Sequence, residues 1–467
     1  MRFKIEGEAD RLLYNPLTGA IDLVEPTLLR TLDEIKSGKP ASLGGEVYQY
    51  FKKRGYIYDT VQDERDAVTR GYSAFADMDK ETALRFFIVP TYKCNARCPY
   101  CFVHELVTED PLITSDTISS AFRAMDQIRE ELAHNGTTQL IFFGGEPFAS
   151  SPDQMDAVEM ILRLADERGF LIDAVTNGLD LVEYLPMLTK YHFNKAQITL
   201  DGLDKVCNKR RPAVDERGKS FNRIVAGIDA GLAAGIQVNA RILLDKKNIE
   251  TLPDIVDFMD EKGWFDHPAF GSHVGSTYDC FDDLHKKERE RYLNFYEGNE
   301  ILVRLCREHP RIADKIKIDW HGARQFLNTG LLPPANYRSC LGATKTFAFD
   351  LHGDIFLCES TVGKQDCRIG TFLPSLEWDK PLMEWFRNRN VQNLEGCKSC
   401  NQALLCAGGC PFTGQVKGKD LKDLGCRGMK DTLEFGLNYY WPRIKERMMS
   451  SAEEDDKCSS GGCACEQ

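Results

Sequence analysis

Short apolar runs alternate with longer amphipathic stretches from residue 85 onwards, and this alternation limits the fold of the chain more than any other feature. Runs of this length indicate buried strands, and the stretches between them have helical periodicity. Such alternation predicts an α/β fold in which helices cover a parallel sheet and catalytic groups follow the strands. The predicted strands span 86–89, 140–143, 172–175, 196–200 and 238–244, and the main predicted helices span 116–133, 154–168, 222–234 and 251–262.

The composition excludes several classes of function. The 467 residues include 59 Lys and Arg against 71 Asp and Glu, a net charge of −12. An acidic chain without a block of Lys and Arg is a poor binder of nucleic acid, and the same acidity argues against a membrane surface. We find no membrane-spanning run and no signal peptide, so we expect a cytoplasmic protein. In that reducing compartment, 17 cysteines indicate metal or iron–sulfur ligation rather than disulfides.

Changes in pattern divide the chain into parts. Roughly 150 residues per domain predicts about three domains for this length. Residues 1–75 contain short strands and helices and end in a polar linker at 62–70, and the α/β region spans 85–310. Residues 335–435 are dense in cysteine and poor in periodicity. We expect the acidic, cysteine-containing tail at 450–467 to be flexible.

A tight group of cysteines follows the first strand of the predicted sheet. Cys94, Cys98 and Cys101 form a CxxxCxxC motif, with the aromatic Tyr100 before its last cysteine. Three thiolates on one loop can hold three irons of a [4Fe–4S] cube and leave the fourth iron open to a ligand that is not protein. The motif alone leaves two alternatives open, a zinc site that lacks its fourth ligand and unrelated buried thiols.

A glycine-rich turn follows the next predicted strand. Gly144, Gly145, Glu146 and Pro147 offer backbone carbonyls and a carboxylate to a cationic amine. Together with the cysteine loop, this turn resembles the radical S-adenosylmethionine (SAM) superfamily over residues 85–244. The resemblance implies a partial (β/α)6 TIM-like barrel whose three cysteines bind a [4Fe–4S] cluster and whose turn meets the SAM amine. It also implies that SAM is cleaved to a 5′-deoxyadenosyl radical, which abstracts a hydrogen from the substrate.

The same resemblance implies further SAM contacts. Thr176 and Asn177 after the third strand, and Thr199 near the end of the fourth, fall where members of the superfamily contact the ribose or carboxylate of SAM. Arg211 and Arg241 are candidate partners of a carboxylate. A structural role remains the alternative for all of them, because Asn-Gly turns and arginines at strand ends are common.

A second cysteine array lies in the C-terminal part of the chain. The positions Cys397, Cys400, Cys406 and Cys410 alone would also suit a zinc ribbon. The full spacing resembles the SPASM domain at every position, and that resemblance implies two auxiliary [4Fe–4S] clusters. The first would be bound by Cys340, Cys358 and Cys410, and the second by Cys397, Cys400, Cys406 and Cys426.

Two departures from related enzymes affect the expected chemistry. Sulfatase-maturating members have another ligand between the first two SPASM cysteines, which this chain lacks. Either the first auxiliary cluster keeps an open iron for a substrate cysteine, which we favour, or Cys367 closes it. Those enzymes also have a proposed base, an aspartate, after the second SPASM cysteine. Here Glu359 takes that place, as a base or as a structural carboxylate.

The remaining parts are less specific. Residues 1–75 resemble the winged-helix-like α+β modules that bind leader peptides in peptide-modifying enzymes, with a plain structural extension as the alternative. We expect His104 to be structural. Packed thiols are expected at Cys207, Cys280 and Cys306. We favour no function for the tail thiols Cys458, Cys463 and Cys465, and the alternatives are that they supply or exchange cluster ligands or resemble a cysteine-rich substrate.

These features predict an enzyme that matures a ribosomally synthesised peptide. The preferred reaction joins a cysteine thiol of a precursor peptide to a carbon as a thioether. The alternatives are formylglycine formation on a sulfatase, C–C cross-linking or epimerisation, and, more remotely, a non-catalytic zinc scaffold. The preferred reading requires SAM, three [4Fe–4S] clusters and a flavodoxin- or ferredoxin-type electron donor.

Overall fold

A small antiparallel sheet and three helices form the N-terminal part of the computed structural model, which describes residues 1–39, 42–106, 112–215, 217–276, 291–418, 420, 422–426 and 428–459. The three strands pair in chain order. They are β1 (Arg2–Lys4), β2 (Arg11–Tyr14) and β3 (Ile21–Val24), and the helices are α1 (Pro26–Lys36), α2 (Gly45–Lys53) and α3 (Val61–Lys80).

Helix α3 occupies the segment for which the sequence predicted a linker at 62–70, so that prediction is wrong. Its first turn is a capping box in which Thr60 and Asp63 satisfy each other's backbone N–H groups. The helix packs on the buried Tyr337, whose hydroxyl donates to the Val68 carbonyl at 2.9 Å. A mostly polar helix that depends on so distant a contact is not recognisable from its own composition.

Six parallel strands, β4 to β9, pair in chain order and confirm the predicted α/β fold of a partial barrel. The sequence missed the last strand and the helices α6 and α7. The strands are β4 (Leu84–Ile88), β5 (Thr138–Phe142), β6 (Leu171–Thr176), β7 (Lys195–Thr199), β8 (Gln237–Leu244) and β9 (Phe270–Ser276). The helices are α4 (Ser115–Glu131), α5 (Pro152–Asp166), α6 (Leu181–Lys190), α7 (Asp204–Arg210), α8 (Ser220–Ala233) and α9 (Leu252–Glu261).

The two faces of the parallel strands differ in polarity. On β8, Val238, Ala240 and Ile242 are fully buried, whereas Asn239 and Arg241 between them are only half-buried. Because successive side chains of a strand point to opposite faces, the apolar set packs under the helices and the polar set lines the concave side of the sheet. On β8 the concave face is therefore the more polar of the two.

The cysteine-rich part continues the barrel sheet. Strand β10 pairs in parallel with β4, and three antiparallel strands follow it, so the sheet has ten strands in all among the described residues. The added strands are β10 (Thr346–Phe349), β11 (Asp354–Phe356), β12 (Arg368–Thr371) and β13 (Glu377–Trp378). The helices here are α10 (Phe295–Glu308), α11 (Arg311–Lys315), α12 (Ala323–Thr329), α13 (Lys380–Arg387), α14 (Glu395–Lys398), α15 (Ala403–Cys406), α16 (Pro411–Gly418) and α17 (Met429–Ser459).

Helix α17 extends to Ser459, into the segment at 450–467 that the sequence predicted to be a flexible tail. Cys458 is thus part of a helical backbone. Cys463 and Cys465, like Cys280, lie outside the described residues. None of the helices in the described ranges is long and apolar enough to cross a membrane.

Candidate active site

The loop after β4 brings three cysteines together at the carboxyl end of the barrel. Ala96 forms an antiparallel bridge with Ala213, and the Cys101 N–H donates to the Cys98 carbonyl at 3.1 Å. The pKa of the Cys94 thiol is raised to about 12 by burial and, to a smaller extent, by the nearby charges of Glu146, Cys98 and Cys101. The three thiols of the motif are therefore neighbours on one loop.

The glycine-rich turn lies directly against this loop. A Cβ at Gly145 would overlap the Lys93 carbonyl, and one at Gly144 would lie 2.6 Å from the Thr91 carbonyl oxygen. In return, the Gly145 N–H donates to the Thr91 carbonyl at 2.9 Å and the Glu146 N–H donates to the Lys93 carbonyl at 2.8 Å. Both positions require glycine because the two backbones touch, and Gly144 also has a φ of 126°.

The carboxylate of Glu146 faces the protein. It accepts hydrogen bonds from the Phe148 N–H at 2.9 Å, the Thr176 hydroxyl at 2.5 Å and the Asn177 N–H at 2.6 Å. Burial raises its pKa to about 7, against the effect of these donors. The expectation that this carboxylate is offered to an amine is therefore corrected: Glu146 joins the turn to the end of β6.

Asn177 connects the end of β6 to the cysteine loop. Its side-chain N–H donates to Asn95 Oδ1 at 2.7 Å and lies 3.6 Å from the Cys94 sulfur. Asn95 in turn donates to the buried Asp180 at 3.0 Å, and Arg217 and Arg223 pair with the same carboxylate. Sequence reasoning missed Asn95 and Asp180, because neither belongs to a motif.

Tyr100 belongs to a buried network of charges beside the loop. Its hydroxyl donates to Asp201 and accepts from Arg211 Nη1 at 2.6 Å, and the Arg210 guanidinium lies 5.0 Å from the centre of its ring. Burial raises the pKa of the Cys98 thiol, and the charges of Arg211 and Arg210 oppose that rise. Arg211 is thus engaged within the protein, with its Nε buried and unpartnered.

Arg241 lies on the concave face beside Thr199 of β7 and His273 of β9. Among the described residues, its guanidinium has no hydrogen-bond or ion-pair partner. Gly275 leaves space for it, since a Cβ there would lie 3.1 Å from Arg241 Nε. Burial, together with the Arg241 charge, lowers the pKa of His273 to about 4. The arrangement presents an unpaired cation to an anionic group of a bound molecule.

Glu359 faces the same side of the barrel from the cysteine-rich part. It begins a short 3-10 helix (Glu359–Thr361) directly after Cys358, and it is half-buried. Burial raises the pKa of its carboxyl, and the charges of Arg241 and Arg85 oppose that rise. A carboxylate with a raised pKa, next to a cysteine and facing the concave side, can accept a proton from a bound substrate.

The seven thiols of the second array fall into two groups by the electrostatic contacts of Cys358 and of Cys397. The pKa of the Cys358 thiol is raised by burial and then by nearby charges, which include those of Cys340 and Cys410. The pKa of the Cys397 thiol is raised to about 11 by burial and then by the charges of Cys406, Cys426 and Cys400. The first group therefore contains Cys340, Cys358 and Cys410, and the second contains Cys397, Cys400, Cys406 and Cys426.

Local backbone contacts bring the second group together. Residues 407–409 all have positive φ, which turns the chain sharply between Cys406 and Cys410. Gly409 forms a bridge with Gly425, and a Cβ on either would overlap the opposing backbone. Cys426 is thereby held beside Cys406, whereas Cys410 is directed to the other group.

A zinc ribbon would require Cys410 to bind together with Cys397, Cys400 and Cys406, but the grouping places Cys410 with the other set of thiols. Within the described ranges, no three His, Cys, Asp or Glu side chains converge closely enough to hold one metal ion. Ligands of an iron–sulfur cube need not converge in this way, because each thiolate binds a different iron.

Cys367 lies next to the first group. Its side chain is fully buried, and its thiol donates to Gln415 Oε1 at 3.3 Å. The pKa of its thiol is raised to about 12, mainly by burial, and the charge of Cys410 contributes to the rise. Cys207 and Cys306 are also fully buried and free, as expected for packed thiols.

Comparison with known proteins identifies the domain that carries the first motif. Residues 88–259 match the model of the Radical SAM superfamily. The chain is 25% identical to an uncharacterized protein of Archaeoglobus fulgidus, over 74% of this chain and 81% of that protein. It is 23% identical to GTP 3′,8-cyclase 1 of Pseudomonas aeruginosa, over 57% of this chain and 77% of the cyclase.

Solved structures share the fold over most of the chain. Native anSMEcpe with bound AdoMet superposes with a TM-score of 0.59 and 17% identity, over 78% of this chain and 98% of that chain. Streptococcus suis SuiB bound to S-adenosylmethionine gives a TM-score of 0.52 and 17% identity, over 92% of this chain and 98% of that chain. The match of residues 88–259 to the Radical SAM superfamily model confirms the resemblance drawn from the cysteine loop and the glycine-rich turn.

Proposed function

We propose that this chain is a radical SAM enzyme that modifies a ribosomally synthesised peptide by joining a cysteine sulfur to a carbon. Its residues 88–259 match the Radical SAM superfamily. The observation that carries the proposal is the separation of seven thiols into a group of three and a group of four beside the barrel. The group of three leaves one position of a cube free for a sulfur that this array does not supply.

The donor sets fit iron–sulfur clusters because thiolates are the ligands that these clusters require. We assign the SAM-binding cluster to Cys94, Cys98 and Cys101, the first auxiliary cluster to Cys340, Cys358 and Cys410, and the second to Cys397, Cys400, Cys406 and Cys426. When bound, the SAM-binding cluster and SAM supply a 5′-deoxyadenosyl radical that abstracts a hydrogen atom from the substrate.

The side chains of the barrel bind and orient in this proposal. Arg241 pairs with the SAM carboxylate beside Thr199, since its guanidinium has no other partner among the described residues. The carbonyls of Gly144 and Gly145 face the SAM amine. Arg211 donates a hydrogen bond to the Tyr100 hydroxyl, and its charge acts on the Cys98 thiol.

Glu359 and Cys367 determine what happens at the first auxiliary site. Glu359 accepts the proton of the substrate thiol, because burial raises the pKa of its carboxyl and so makes it a better base. The Cys367 thiol is engaged by its hydrogen bond to Gln415, which leaves the fourth position to the substrate sulfur.

The N-terminal part supports a peptide substrate. Its three-stranded sheet ends in the edge strand β3, and an extended peptide can add to such an edge through main-chain hydrogen bonds. Native anSMEcpe, which shares the fold with a TM-score of 0.57, has also been solved with AdoMet and a bound peptide. We propose that the enzyme acts in the cytoplasm, with a flavodoxin- or ferredoxin-type protein as electron donor.

The test uses anaerobically reconstituted full-length enzyme, dithionite, SAM and a synthetic precursor peptide encoded by a small cysteine-containing reading frame beside the gene. We expect 5′-deoxyadenosine, together with a peptide that has lost two hydrogen atoms and one alkylatable thiol. Cys358→Ala should still cleave SAM but leave the peptide unchanged. Peptide modification that leaves all thiols free would contradict the thioether.

A nucleotide is the second candidate substrate. The relatives include GTP 3′,8-cyclase 1 of Pseudomonas aeruginosa, and the concave face carries the cations Arg241 and Arg85, which suit phosphate groups. Incubation with GTP in place of the peptide separates the two. Substrate-dependent turnover of SAM with GTP alone would replace the peptide by a nucleotide.

A further inference from the structure

Arg389 is a buried cation that lies between the two thiol groups of the C-terminal array. It follows helix α13, and only 2% of the residue is exposed. Its charge acts on Cys340 and Cys410 of the first group and on Cys397 and Cys406 of the second.

The guanidinium is only partly satisfied by the protein. Nη2 donates to the Gly408 carbonyl at 2.9 Å, whereas Nε and Nη1 are buried without a hydrogen-bond partner. Gly408 lies between Cys406 and Cys410, so this single bond fixes the guanidinium at the turn that separates the two groups. Burying a charged group and leaving two of its N–H donors unpaired is strongly unfavourable unless acceptors are supplied.

Sulfur anions are the acceptors that the surroundings offer. The thiols around Arg389 carry negative charge once they bind a metal cluster, and the inorganic sulfides of a cluster carry more. No described carboxylate forms an ion pair with Arg389. The unpaired N–H groups therefore match a cluster on each side, which is the condition under which such a residue is stable when buried.

We propose that Arg389 bridges the two auxiliary clusters, donates hydrogen bonds to their sulfurs and raises their reduction potentials. This inference rests on the auxiliary clusters of the proposed function. A positive charge and N–H donors stabilise the more negative, reduced form of a cluster, so both raise its potential.

The test is a redox titration followed by electron paramagnetic resonance on the reconstituted full-length enzyme. Arg389→Met keeps an unbranched apolar stem and removes the charge and the donors. We expect the reduction equilibrium of both auxiliary clusters to become at least tenfold less favourable, which is about 59 mV for one electron. The SAM-binding cluster serves as the internal reference and should not change.

Arg387→Met is the matched control, because Arg387 is exposed and is the last residue of α13. Arg389→Lys retains the charge without the fork of donors and should shift the potentials less than Arg389→Met. Wild-type potentials in fully loaded Arg389→Met would overturn the inference and leave the proposed function intact. About four irons in the wild-type enzyme, in place of the twelve or so that three clusters contain, would overturn both.

Discussion

Gly145 lies directly against Lys93, so that no side chain fits between the glycine-rich turn and the cysteine loop. Gly145→Ala must therefore push the turn away from the loop. We expect a loss of about 1–3 kcal/mol of unfolding free energy, as for other overpacked sites, and a loss of iron from the loop. Chemical denaturation and an iron assay measure both effects. Gly45→Ala is the control, because a Cβ there meets nothing within 4 Å.

Cys98→Ala and Cys358→Ala separate the generation of the radical from its use. Cys98 belongs to the loop, so its loss should abolish SAM cleavage even when the auxiliary groups are intact. Cys358 belongs to the first auxiliary group, so its loss should leave SAM cleavage and block the product. Chromatography of 5′-deoxyadenosine and mass spectrometry of the peptide give the two readouts. A modified peptide from Cys358→Ala would remove the auxiliary cluster from the reaction.

Most of the barrel could be predicted from the sequence, because each buried strand is a short apolar run with a helix after it. The predicted strand at 238–244 lies within β8, for example. Strand β9 was missed since it carries Gly271, His273 and Gly275, which interrupt any apolar pattern. These residues face the concave side, where space for Arg241 matters more than hydrophobicity.

The candidate site was predictable only where a motif of fixed spacing encodes it. The thiol groups follow the spacing of the cysteines, but the residues that support them do not. Asn95, Asp180 and Arg389 act through contacts with residues far away in the chain, and no local pattern marks them. Glu146 shows the converse, because its place in the motif was recognised while its role was not.

The pH dependence of stability tests the burial of Glu146. Its pKa is about 7 in the folded chain, against an ordinary value of 4.5, so between these pH values the folded chain retains a proton that the unfolded chain has released. Its contribution to stability is therefore present at low pH and is lost as the pH rises to 7, by about 1.4 kcal/mol per pKa unit. In denaturant titrations of the metal-free chain, the unfolding free energy of Glu146→Gln should fall less from pH 5 to pH 7 than that of the wild-type chain. An unchanged slope would mean that Glu146 ionises normally when folded.

Cys367→Ser distinguishes an open first auxiliary site from a closed one. If the site is open, the iron content should stay the same, since Cys367 is then not a ligand and its thiol donates to Gln415. Binding of a substrate thiol should still change the paramagnetic signal of that cluster. A loss of iron, or a signal that no longer responds to thiols, would show that Cys367 is the fourth ligand. The substrate sulfur would then have to react without binding to iron.

Gly71→Ala tests how the N-terminal part is held on the cysteine-rich part. Alanine stabilises an ordinary helix position by up to about 1 kcal/mol relative to glycine. At Gly71 of α3, however, a Cβ would overlap the Tyr337 hydroxyl and lie 2.9 Å from Leu17 Cδ1. Tyr337 cannot move aside easily, because it is fully buried and bonded to Val68.

We therefore expect Gly71→Ala to lower the unfolding free energy by about 1–3 kcal/mol despite its higher helix propensity. The matched variant is Gly298→Ala in α10, where the nearest side-chain atom would lie at an ordinary 3.6 Å, and this change should stabilise the chain. Thermal or denaturant unfolding of both variants gives the comparison. If Gly71→Ala is stabilising as well, α3 does not pack on Tyr337, and the N-terminal part is free to move relative to the clusters.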